Sequence, residues 1–196
     1  RDRAIRIINN RCHGVRLVLD NTSGIVTGAL ITNNVIDIGG CLLACSAGGI
    51  TNSIISNNIC AYTENTRTII NISGTSIFDH NVIENNIVCA MSSRAPARFI
   101  YVGDNIASFT CNIIKGNEIN YTQKEAILGV PVSANNVITN NVFKNVGIDN
   151  SQTAALRFAH AVDNMIISDN TIEIVSSAAN CHIRIQGVLT NSVITN

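Results

Sequence analysis

The sequence predicts an all-β solenoid: a right-handed, single-stranded parallel β-helix of about seven to eight coils of 24–31 residues each. Isoleucine recurs at Ile7, Ile31, Ile55, Ile83, Ile114, Ile138, Ile167 and Ile194. Asparagine stands three residues after the first seven, at Asn10, Asn34, Asn58, Asn86, Asn117, Asn141 and Asn170. The asparagines are 24, 24, 28, 31, 24 and 29 residues apart, a period that marks a chain of stacked turns. The residue before each anchor (Asn9, Asn33, Asn57, Asn85, Gly116, Asn140, Asp169) tolerates the left-handed backbone of a sharp bend. Two residues past the anchor stand Cys12, Ile36, Cys60, Val88, Ile119, Phe143 and Ile172, the first inward position of a following strand.

Each coil therefore reads as an apolar rung carrying the isoleucine, a polar bend closed by asparagine, and a second strand. Stacking the coils sets Ile on Ile and Asn on Asn, and an amide ladder can then satisfy backbone groups at a buried corner. Three sheets are expected, one on each side of the coil. Leucine-rich repeats share the period and the asparagine, but they need an apolar residue two places before the isoleucine. Here those places hold Ile5, Ala29, Ser53, Asn81, Asn112, Asn136, Met165 and Ser192, mostly small or polar. β-Branched residues and Gly/Asn turns fill the rest of each repeat, so no convex-side helix is expected.

The units Ile54-Ile-Ser-Asn-Asn-Ile59, Val82-Ile-Glu-Asn-Asn-Ile87 and Val137-Ile-Thr-Asn-Asn-Val142 resemble coils of the pectate-lyase-like superfamily, most like a phage tailspike or depolymerase segment. The resemblance runs along the whole chain. It implies a saccharide groove on the outer face of the third strand of each coil, and a role in binding and degrading polysaccharide by glycosidic hydrolysis. Polysaccharide lyases and non-catalytic shafts share the fold, and fold alone does not choose among them. Among assemblies, the resemblance implies a homotrimer.

With 13 basic and 13 acidic residues the formal charge is zero, which gives no bulk attraction for nucleic acid. No apolar run approaches the roughly 20 residues of a membrane span. No cofactor and no metal site are expected, because the cysteines and histidines lack paired ligand spacing. The seven cysteines are expected to be reduced, Cys12 and Cys60 buried in one inward column two coils apart, too far to bridge. Reduced thiols imply cytoplasmic folding, followed by service on a virion or extracellular surface. Neither terminus carries a targeting signal, so residues 1–196 are expected to be one solenoid segment of a longer polypeptide.

The third strands are expected near residues 15–20, 42–46, 68–72, 97–102, 126–132, 156–161 and 182–187. Four carry arginine between apolar neighbours: Arg16, Arg98, Arg157 and Arg184. Outward guanidinium groups on one strip could read the carboxylates or sulfates of an acidic glycan; equally, they could only keep the sheet soluble. Tyr101 and His160 lie on the same surface and join Arg98, Arg157 and Arg184 as candidate substrate-binding residues. Asp104 and Asp163, each followed by Asn, are the candidate catalytic pair, about 9–10 Å apart if two coils separate them. Asp-Asn is also ordinary turn chemistry. Glu64, Glu125 and Asp149 show no partner, and sparse acidic residues argue against calcium-dependent lyase chemistry.

Overall fold

A computed structural model describes residues 5–13, 24–37, 43–45, 48–62, 68–74, 76–91, 95–103, 108–130, 132–147, 154–174 and 181–195. Every regular element among them is a short strand, and each strand pairs in parallel with its counterparts in neighbouring coils. The isoleucine sheet has eight strands, from Arg6–Ile8 to Val193–Ile194. Past the asparagine corner a second sheet has seven, from Arg11–Cys12 to Thr171–Ile174. A third, the arginine sheet, has six among the described residues: Leu43–Cys45, Thr68–Ile72, Arg98–Val102, Ile127–Gly129, Ala154–Phe158 and Cys181–Ile185. The fourth has seven, from Ile25–Thr27 to Leu189–Thr190, and leads back to the isoleucine sheet.

The anchor isoleucines pair in register from Ile7 to Ile194, and those from Ile31 to Ile167 are at most 1% exposed. The asparagines behind them form the expected ladder. Asn86, a central rung, donates its backbone N–H and its side-chain Nδ2 to Asn117 Oδ1 at 3.0 and 2.9 Å, and its Nδ2 also reaches Ile55 O at 2.9 Å. Every amide at this corner thus has a partner within the stack, which removes the cost of burying it. The left-handed backbone expected before each anchor is present, with φ between 54° and 62° from Asn9 to Asp169.

Four sheets replace the expected three because each coil bends twice within five residues. A second left-handed column runs through Gly28, Asn52, His80, Cys111, Asn135, Asn164 and Asn191. Behind it Ser53, Asn81, Asn112 and Asn136 build a second buried ladder: Ser53 N–H donates to Asn81 Oδ1, Asn81 N–H to Asn112 Oδ1 and Asn112 N–H to Asn136 Oδ1, at 3.1, 3.0 and 2.9 Å. Met165 ends this ladder because a thioether offers no comparable acceptor. The first ladder stays buried over the five steps from Asn34 to Asn170, so the sealed shaft is about five turns rather than seven to eight. Beyond it Ile7 is only partly buried and Ile194 is exposed.

Phe78, Phe99, Phe109, Phe143 and Phe158 fill the interior, with Phe78 and Phe109 stacked at 6.1 Å between ring centroids. Cys12, Cys60, Cys89, Cys111 and Cys181 are in no disulfide bond. Cys12 and Cys60 share a column through Ile36. Of these five only Cys60 is buried; Cys12, in a terminal coil with fewer neighbours, is half-buried, and Cys89 faces solvent.

Candidate functional site

The strands of the arginine sheet do not alternate strictly, and this decides where its side chains point. In Arg98–Val102 the consecutive residues Phe99 and Ile100 are both buried, as are Ile69 and Ile70 one coil earlier. The backbone N–H groups of Phe99 and Ile100 both donate to Ala126 O at 3.0 Å, the mark of a bend inside the strand. Arg98 lies before this bend and Tyr101 after it. The register consequently places Asn71, Tyr101, Leu128, Arg157 and Arg184 in one outward column, while Arg98 stands opposite Thr68. The expected single strip of Arg98, Arg157 and Arg184 is corrected to two columns. Arg16 lies outside the described residues.

Glu125 joins these columns. Lys124 N–H donates to Ala97 O and Phe99 N–H to Ala126 O, which sets Glu125 beside Arg98 on the neighbouring coil. Its side chain is 0% exposed, and each carboxylate oxygen accepts from a different arginine: Oε2 from Arg98 Nε at 2.9 Å, Oε1 from Arg157 Nη1 at 3.3 Å. The Arg98 and Arg157 side chains are 15% and 29% exposed, so they cover the carboxylate and still reach the surface. Arg157 Nε donates to Gln186 Oε1 at 3.0 Å, and the Arg98 guanidinium sits 5.2 Å from the centroid of the Tyr101 ring. A continuous chain of contacts, Tyr101–Arg98–Glu125–Arg157–Gln186, thereby crosses four successive coils. Leu128, outward between Tyr101 and Arg157 in register, is only 7% exposed and supplies an apolar floor. Gly103 leaves room for Tyr101: a Cβ there would lie 3.0 Å from the ring.

Glu125, to which the sequence assigned no partner, is thus the centre of the network. The signal for it was the internal bend, which brings residues 98 and 125 into line. His160 is exposed in the link after the strand Ala154–Phe158, with Gly187 of the next coil against its backbone.

Asp163 lies on the fourth sheet, away from the arginine columns. It accepts from Thr190 Oγ1 at 2.6 Å and Asn191 Nδ2 at 3.1 Å, and these bonds, Thr190's above all, hold its pKa below the ordinary 3.8. The ladder places Ala134, Thr110 and then Asp79 in successive coils before it. Two coils back the equivalent of Asp163 is Thr110 and not Asp104, a correction to the expected correspondence. Val102 and Phe158 occupy one column, yet Thr110 follows the first by eight residues and Asp163 follows the second by five. Asp104 itself lies outside the described residues, as do Glu64 and Asp149.

Among the described residues no group of three or more His, Cys, Asp or Glu is arranged to hold a metal ion. A cavity of about 320 Å³, lined by Ile167, Asn170, Ile172, His182, Ile183, Ile194 and Thr195, opens where the core is uncovered past the last described coils. Its lining is mostly apolar, and no charges converge there. No family model, curated protein or solved structure matches the chain. The class these coils define is a parallel β-solenoid with asparagine ladders.

Proposed function

We propose that the outward face of the arginine sheet recognises an acidic polysaccharide, and that the chain serves as a recognition shaft on a virion or extracellular surface. The observation that carries this reading is the pair Arg98 and Arg157, oriented by one buried carboxylate and still reaching solvent. Guanidinium groups held in place before the ligand arrives lose less freedom on binding. Arg184 adjoins Arg157 in the same column, which extends the row of arginines to the next coil. Coils at about 4.8 Å spacing suit a polymer lying along the shaft, with Tyr101 offering apolar contact to a sugar ring.

Recognition is favoured over hydrolysis by the state of the carboxylates. Glu125 has both oxygens engaged, and Asp163 is held ionised, which suits a base and disfavours an acid. The nearest described carboxylate in its ladder, Asp79, stands three coils away, about 14 Å at the usual strand spacing and beyond the range of an inverting pair.

Titration with polygalacturonate, dextran sulfate and neutral dextran at low and physiological salt tests the proposal. Binding to one of the acidic polymers that weakens steeply with salt, with none to neutral dextran, is expected. Equal binding to neutral dextran, or no binding to either acidic polymer, would overturn it.

A further inference from the structure

We infer that Glu125, seconded by Gln186, is the positioning residue of this face: it aims Arg98 and Arg157 at an anion on the ligand instead of serving only as a structural ion pair. The inference rests on the proposed glycan recognition and adds to it the group on which specificity depends. A carboxylate inside an anion-binding face is costly if charge alone matters, because it repels the ligand it helps to bind. Glu125 is fully covered, and its two oxygens are divided between arginines from different columns. Gln186 takes the Nε of Arg157 from the next coil, so that guanidinium is fixed from two sides. Two arginines from separate columns, both held through charge-assisted or directed hydrogen bonds, present a fixed spacing to a row of anionic groups.

This role reverses the sign expected from electrostatics. Glu125→Gln removes a negative charge and keeps the side-chain shape. If the face works by charge alone, the variant binds acidic polymer more tightly. If Glu125 positions the arginines, the variant binds more weakly, by about tenfold, in spite of the added positive charge. In an Arg157→Ala background the same change should lose the part of that effect carried by Arg157 and keep the part carried by Arg98.

The experiment compares wild type, Glu125→Gln and Gln186→Ala for binding to polygalacturonate and dextran sulfate, with the arginine Nε–H signals followed by ¹⁵N NMR. Expected are weaker binding in both variants, about threefold for Gln186→Ala, and a shifted, faster-exchanging Arg98 Nε–H in Glu125→Gln with the exposed Arg11 unchanged. Unchanged or tighter binding by Glu125→Gln would overturn the inference while leaving the recognition itself intact. Should Glu125→Gln not fold, Gln186→Ala decides, because Gln186 lies in an exposed link: undiminished binding overturns the positioning role. If wild type binds neither polymer, the recognition proposal fails and the positioning role is overturned with it, Glu125 then being a structural ion pair.

Discussion

The asparagine corner and the arginine face both tie one coil to the next with polar side chains, yet one repeats and the other does not. At the corner each asparagine hands the same pair of hydrogen bonds to the next, from Asn34 to Asn170. Across the arginine face five different side chains meet once, around a single buried carboxylate. A repeated contact stabilises the stack and tolerates no ligand, because every donor is matched inside it. A contact made once, at partly exposed groups, is where a repetitive fold can acquire specificity.

The largest effects should separate the inside of the repeat from its outside. Ile114 is buried and its neighbour Ile113 is 38% exposed, though both are isoleucines of one strand. Ile114→Ala should cost about 3–4 kcal/mol and Ile113→Ala under about 1 kcal/mol by urea denaturation. Comparable losses would mean that the strand faces are misassigned.

Next come the ladders. Asn86→Ala removes the acceptor of the Asn58 backbone N–H and of one Asn58 Nδ2–H, together with the Nδ2 donor to Ile55 O, and should cost about 3 kcal/mol. Asn10→Ala, at an exposed rung, should cost less than about 1 kcal/mol. Asn112→Ala in the second ladder should match Asn86→Ala, since Asn81 bonds to it in the same way.

The arginine face should respond more weakly in stability than the corner. Arg98→Ala leaves the buried Glu125 with Arg157 still bonded to its Oε1, and should cost about 2 kcal/mol. Lys115→Ala breaks the exposed Glu84–Lys115 pair, 3.1 Å apart, and should cost under about 0.5 kcal/mol. The smallest effect belongs to Asp163. Thr190→Val should raise its pKa towards 3.8, as read by carboxyl ¹³C NMR titration. Because the folded pKa is depressed, what stability this contact adds is present above pH 3.8 and fades as pH falls through the folded value.

Much of the corner was legible in the sequence, because a residue buried in every coil must recur in every coil. The isoleucine stack and first ladder follow from spacing alone. The second ladder was equally visible in Ser53, Asn81, Asn112 and Asn136, whose small polar character served only to exclude leucine-rich repeats; it also marked a second bend. The site was less legible for the same physical reason: a contact made once leaves no period. Centring each third strand on an arginine assumed strict alternation, and the bend at Phe99 and Ile100 breaks it. Loops of unequal length then made Asp104 and Asp163 look equivalent, and they hid the approach of Glu125 to Arg98.

The central claim, that recognition belongs to the arginine face and not to the repeat, is tested most directly by two variants that each remove one positive charge. Affinity for the acidic polymer that wild type binds is measured at one low-salt condition for Arg157→Ala and for Lys115→Ala. Arg157→Ala should weaken binding about tenfold and Lys115→Ala less than about twofold, since Lys115 stands on the isoleucine sheet. Equal losses in the two variants would show that the polymer reads net charge, and would contradict the account.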